Sequence, residues 1–297
     1  MRTRNRLFGA ALALLAATPL TAEDPHDGKA KTPPDDSAVA TRQVVYKTVG
    51  DVELRLHVFE PADREAGKPL PAIVFFFGGG WVGGSPKQFY PHCQYLAGRG
   101  MVAMAAEYRV RSRHGTTPFE CVADGKSAVR WIRASAKKLG VDPERIAAGG
   151  GSAGGHVAAS TGTIEGHDEP GEDTTVSSVP DALVLFNPVI DTTEKGYGAS
   201  KVAGRETEIS PAHHVRKGIP PTIIFHGTAD KTVPFENVER FTRLMKEAGN
   251  ECTLVPFEGQ GHGFFNYGRK NGAFRDTVRA ADRFLAKHGF LSGEPTL

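Results

Sequence analysis

The chain has 297 residues, 39% hydrophobic and 24% charged, with a formal net charge of +2. This is ordinary globular composition, long enough for one large core, and it excludes a disordered, collagenous or coiled-coil protein. Three cysteines are too few for a disulfide framework, and their spacing matches no zinc site.

Arg2, Arg4 and Arg6 precede the apolar run Leu7–Ala17, and Leu20-Thr21-Ala22 stands ahead of Glu23-Asp24. That order is expected of a secretory signal peptide over residues 1–22, cut near Ala22, which predicts a secreted or periplasmic protein. An apolar run of about 11 residues is too short to span a bilayer comfortably. Loss of the three leader arginines leaves 33 basic against 34 acidic residues, a charge of −1. No basic excess then remains to attract nucleic acid or an anionic membrane. Residues 23–42 are rich in Asp, Lys, Pro and Thr and are expected as a disordered lead-in to a domain over 43–297.

Gln43–Thr48 and Val52–Phe59 alternate and carry β-branched residues around Gly50-Asp51, the pattern of an edge hairpin. The runs Ala72–Phe77, Val102–Ala106, Ile146–Ala148, Ala182–Phe186, Thr222–Phe225 and Thr253–Phe257 are continuously apolar, as strands buried on both faces are. Helical stretches are expected at Gln88–Gly98, Glu120–Leu139, His156–Ser160, Glu236–Glu247 and Gly272–His288. Alternating strands and helices after a hairpin predict an α/β fold with a mostly parallel, doubly wound sheet. Residues 162–181 and 191–219 lack periodicity and are expected as loops over the carboxyl ends of the strands, where such sheets bind ligands. An exporting compartment permits one disulfide, for which Cys93 and Cys121 are the choice; three buried free thiols is the other reading.

The chemistry concentrates in three places. Gly150-Gly151-Ser152-Ala153-Gly154 links a strand to a helix, and small neighbours are needed where a nucleophile is exposed at so sharp a turn. The Ala153 amide, at the helix start, is placed to face developing negative charge. Gly78-Gly79-Gly80-Trp81 follows the strand ending at Phe77, and Gly79 or Gly80 is expected to supply the second oxyanion donor. A serine hydroxyl needs a base, and the base a carboxylate. His262, in a glycine-rich loop after the last strand, and Asp230, just after strand 222–225, stand in the chain order this architecture uses, with Asp191 in reserve. Trp81 and Phe264 flank the loop and the base and are expected to line the substrate pocket. His156 and His226 are read as structural, and His213-His214 lacks partners at metal-ligand spacing, so no metal is expected.

Together Phe77–Trp81, Glu107-Tyr108-Arg109, Asp142–Ile146, Gly150–Gly155, His226–Asp230 and Gly261-His262-Gly263 resemble the hormone-sensitive-lipase-like carboxylesterases of the α/β-hydrolase fold. They are most similar to the bacterial acetyl, acetylxylan and feruloyl esterase branch. The resemblance covers about residues 43–288. It implies a cofactor-free hydrolase of esters with small acyl groups, acting on a small ester or an acylated carbohydrate. It departs at Phe77, where the family usually has a His thought to brace the glycine loop. It also departs in the short lead-in where many relatives carry a helical cap, which implies a more open site. A prolyl-oligopeptidase-like peptidase shares the same residue order but needs a gating domain for which the chain has no room. A non-catalytic binder on this fold would usually lack one of the three residues.

Overall fold

The computed structural model describes residues 41–65 and 67–297, so the expected leader and nearly all of the lead-in lie outside the described residues. Strands β1 (Arg42–Val49) and β2 (Val52–Phe59) form the expected hairpin. Then come β3 (Leu70–Phe76), a 3-10 turn at Pro86–Phe89, α1 (Tyr90–Gly98), β4 (Val102–Ala106), α2 (Arg111–His114) and α3 (Pro118–Ala134). These are followed by α4 (Ala136–Leu139), β5 (Val141–Gly151), α5 (Ala153–Thr163), β6 (Ala182–Phe186) and α6 (Ala199–Val202). A 3-10 turn at Pro211–His213, β7 (Thr222–Gly227), α7 (Phe235–Glu247), β8 (Cys252–Phe257) and α8 (Ala273–Lys287) complete the order. The helix expected over 120–139 is two helices, broken at Ser135. It starts early because Thr117 and Glu120 form a capping box ahead of Pro118, and Gly140 in the left-handed region ends it.

The eight strands make one sheet in the order β1-β2-β4-β3-β5-β6-β7-β8. The pairs β1–β2 and β2–β4 are antiparallel and the rest parallel. Side chains alternate across the central strands, so both faces must be covered. On β3, Val74 and Phe76 join a core with Val129 of α3, Val157 of α5 and Phe241 of α7. Ile73 and Phe75 join another with Leu96 of α1 and Val278 and Leu285 of α8. The sheet therefore separates Cys93, packed on the α1–α8 face, from Cys121, packed on the α3–α5 face. The disulfide choice is overturned: all three cysteines are free and buried.

The aperiodic stretch after α5 is held by charge. Lys126 and Arg130 of α3 pair with Asp168, Arg130 also with Glu172, and Glu169 meets both Lys47 and Arg109. Ion pairs leave no hydrophobic period to read.

The tightest packing lies where β5 turns into α5. A Cβ on Gly154 would stand 2.0 Å from the Phe76 carbonyl oxygen, and one on Gly150 would stand 2.3 Å from that of Gly154. Gly154→Ala must push the helix off the end of β3, and overpacking of this kind costs about 1–3 kcal/mol. The urea midpoint is expected to fall accordingly. In Gly98→Ala, where a Cβ on α1 would meet nothing within 4 Å, the midpoint should hold or rise.

Candidate active site

Five neighbouring parallel strands deliver side chains to one end of the sheet. The glycine loop 78–80 follows β3, Ser152 follows β5, Asn187 follows β6, Asp230 follows β7 and His262 follows β8. This is the carboxyl edge, where such sheets place their ligands.

Ser152 has φ 54° and ψ −121°, a strained backbone for a residue with a side chain, costing on the order of 1–3 kcal/mol. The surroundings impose it. The Ser152 amide donates to the Phe186 carbonyl at 3.0 Å, and the Ser152 carbonyl accepts from His156 at 3.0 Å and Val189 at 3.2 Å. Beneath the turn, Phe265 occupies the space where a Gly151 side chain would go, its ring 2.5 Å from the missing Cβ.

The Ser152 hydroxyl lies 2.9 Å from His262 Nε2, and His262 Nδ1 lies 2.7 Å from Asp230 Oδ2. Asp230 Oδ1 accepts from the amides of Thr232 at 2.9 Å and Val233 at 3.0 Å. His226 Nε2 stands 3.3 Å from Oδ2 while also meeting the Val233 carbonyl at 3.0 Å. Burial of Asp230 opposes its charge, but the bonds from His226, His262 and the Val233 amide outweigh it and hold the carboxyl well below the usual carboxylate range. An ionised Asp230 can only accept. His262 therefore carries its proton on Nδ1 and presents a bare Nε2 to the serine hydroxyl, which donates to it.

The glycine loop closes on itself and faces the nucleophile. Val82 and Gly83 donate to the Gly79 carbonyl, and a Cβ on Gly78 would lie 3.3 Å from that of Ser152. Gly79 and Gly80 have φ of +131° and +60°. Among the described residues their amides have no acceptor, nor does that of Ala153, the first residue of α5. Gly78 is not such a donor, because its amide is spent on Gln88 Oε1 at 2.7 Å.

Gln88 was not legible in the sequence, and neither were its partners. Its Nε2 donates to Asn266 Oδ1 at 2.8 Å, and Asn266 Nδ2 donates to the Gly263 carbonyl at 2.8 Å. The Gly263 amide donates to Asn187 Oδ1 at 2.9 Å. A line of amides thus ties the glycine loop to the loop carrying His262. The only available signal was proximity: Asn266 stands four residues after His262, and Gln88 eight after Gly80.

Other expectations divide. Phe264 is a core residue instead: it is 1% exposed and packed on Phe257 and Phe265 in the α1–α8 core. Trp81 is also buried, at 1%, against His156 and Tyr197, and contributes the wall of a cavity that begins at Gly80. Asp191 is bound to Arg240 and the Thr193 amide, apart from the His262 pair. His156 and His226 are buried, each bonded to a carbonyl, and His213 and His214 bond to Ser210 and the Thr207 carbonyl. Phe77 stacks on Tyr108 with ring centroids 4.2 Å apart, and the Tyr108 hydroxyl donates to the Phe77 carbonyl at 2.6 Å.

A hydroxyl facing a bare imidazole nitrogen, a buried carboxylate behind it and free amides in front define, on this sheet, a carboxylic ester hydrolase of the α/β-hydrolase class. The chain belongs to the BD-FAE family, whose profile matches residues 56–245. It is 30% identical over 260 residues to esterase LipC of Mycobacterium tuberculosis, covering 79% of this chain and 64% of that protein. To carboxylesterase NlhH of the same organism it is 28% identical over 269 residues, covering 80% and 79%. The apo form of Thermogutta terrifontis esterase 2 superposes with a TM-score of 0.83 at 52% identity, covering 88% of this chain and 99% of that one.

Gln88→Ala leaves the Gly78 amide unpaired and frees both loops. Its contacts are with the loops and not the substrate, so kcat should fall by about tenfold with KM little changed. Equal loss in both would show that Gln88 instead shapes the binding site. Asp230→Asn tests the carboxylate. A depressed pKa gives stability that is complete above the unfolded aspartate value of about 3.9 and is lost as pH falls toward the folded one. The variant should therefore unfold at lower urea than the parent at pH 7, and the gap should narrow below about pH 4.

Proposed function

We propose that the chain is a serine esterase that cleaves small acyl groups from larger alcohols, acylated carbohydrates among them, through an acyl-enzyme. The observation that carries this is the unbroken hydrogen-bond line from Asp230 through His262 to Ser152, set beside three unspent amides. Ser152 Oγ attacks the ester carbonyl while its proton passes to His262 Nε2. Asp230 stabilises the imidazolium, and the oxyanion is held by Ala153 with Gly79 or Gly80. His262 then gives the proton to the departing alcohol, and water, activated in the same way, releases the acid.

Relatives support the size of the acyl group and the nucleophile. Thermogutta terrifontis esterase 2 is known phosphorylated by paraoxon, at 52% identity, and with propionate or butyrate bound, at 51% and 50% identity. The apolar run after Arg2, Arg4 and Arg6 supports export before action.

Ser152→Ala should lower 4-nitrophenyl acetate hydrolysis by about a million-fold while the protein stays folded. The parent should lose activity on labelling with a fluorophosphonate. Rates should decline from acetate and butyrate toward longer acyl esters, and protein exported with its leader should begin near Glu23. Undiminished turnover in Ser152→Ala would overturn the nucleophile, and faster cleavage of a fluorogenic dipeptide than of any ester would overturn the esterase reading.

A further inference from the structure

The cavity that begins at Gly80 has a volume of about 350 Å³ and is lined among others by Trp81, Arg111, Thr116, Thr117 and Lys201. It shares Gly80 and Trp81 with the loop whose Gly78 stands against Ser152.

Its charge is one-sided. The residues lining it include two cations and no carboxylate. Arg111 is exposed and Lys201 half-buried, and among the described residues neither meets a carboxylate. Lys201 Nζ donates to the Gly80 carbonyl at 3.0 Å and to the Tyr197 hydroxyl at 3.1 Å, and lies over the Tyr197 ring at 4.7 Å. An ammonium has three protons, so one remains. The nearest acid on α3, Glu120, is already engaged by the Thr117 amide and hydroxyl at the helix start. It answers the helix dipole rather than the cavity cations.

A ligand with several acceptor oxygens and negative charge would answer the Arg111 guanidinium and the remaining Lys201 proton together.

Resting on the serine esterase reading, we infer that this cavity is an anion subsite that selects esters carrying a carboxylate away from the scissile bond. The carboxylate can belong to the acyl part, as in a monoester of a dicarboxylic acid, or to the alcohol, as in an acylated uronic acid. Both present the same oxygens to Arg111 and Lys201. Arg111 is exposed, so its share is expected to be modest and sensitive to salt.

The test compares each charged ester with its own methyl ester. Mono-4-nitrophenyl glutarate places the carboxylate on the acyl side, and 4-acetoxybenzoate places it on the alcohol side. At low salt, at least one should show kcat/KM above that of its methyl ester, with the difference in KM. The preference should shrink by about fivefold in Arg111→Gln, more in Lys201→Met, and in the parent as salt is raised. The arm that responds identifies the acyl or the alcohol side. A ratio at or below one in both arms, or a ratio unmoved by both substitutions, overturns the subsite. Loss of cleavage of all four esters would overturn the esterase reading instead. Calorimetry of monomethyl glutarate against dimethyl glutarate, and of 4-hydroxybenzoate against its methyl ester, on Ser152→Ala then still reads the cavity: tighter binding of one carboxylate supports the subsite, and equal or weaker binding of both overturns it.

Discussion

The site depends on one close contact, that of the first turn of α5 with the end of β3. Because no side chain fits at Gly150 or Gly154, helix and strand approach until their backbones touch. That approach forces Ser152 into φ 54° and lifts its hydroxyl clear of the sheet. The same approach sets the start of α5, with the Ala153 amide, beside the loop leaving β3, with those of Gly79 and Gly80. The hydroxyl and amides proposed as nucleophile and oxyanion donors are thus held by a single packing constraint.

Charge is distributed with equal economy. Around Asp230, two backbone amides and two imidazoles surround one carboxylate, so the negative charge persists at depth without an ion pair to arginine or lysine. A guanidinium there would stabilise the carboxylate as well but would compete for its oxygens and weaken its hold on His262. The strong pairs are spent elsewhere. Arg109 grips Asp124 in the interior and both it and Lys47 reach Glu169, pinning the stretch after α5 to α3. Breaking such a buried pair leaves an uncompensated charge, so these contacts specify where that stretch lies more than they add net stability.

What could be read in the sequence was what depends on short-range pattern. Continuous apolar runs located β3 to β7, because burial on both faces erases alternation, while alternation located the hairpin of β1 and β2; β8 was found by its run although it is a half-exposed edge strand. The elbow, the glycine triplet and the order of Ser152, Asp230 and His262 were visible because steric demand restricts residue type at those positions. The strand order was not written locally, nor were the amides of Gln88, Asn187 and Asn266, whose contacts span up to 178 residues and which any polar side chain could imitate in sequence. Phe264 illustrates the same limit. Its neighbour Phe265 packs under the nucleophile while Phe264 fills the core, and adjacency to His262 does not distinguish them. The paired cysteines failed because neighbouring strands can send their helices to opposite faces.

Phe77 shows how the glycine loop is supported without a histidine at its base. An imidazole there would have to brace the loop through a hydrogen bond. Here the brace is split. The aromatic ring stacks on Tyr108 while the Tyr108 hydroxyl holds the Phe77 carbonyl, fixing the start of the loop through shape and one bond. The Gly84 backbone folds back so closely that a Cβ there would lie 2.5 Å from the Phe77 ring, fixing its end. The polar task passes to Gln88, which answers the Gly78 amide and reaches on to Asn266. Burial pushes the Tyr108 phenol well above its usual range, so it stays a neutral donor at any working pH. A histidine brace would titrate within the physiological span, whereas this one contains no group that does. The geometry of the glycine-loop amides is therefore decoupled from pH across that span.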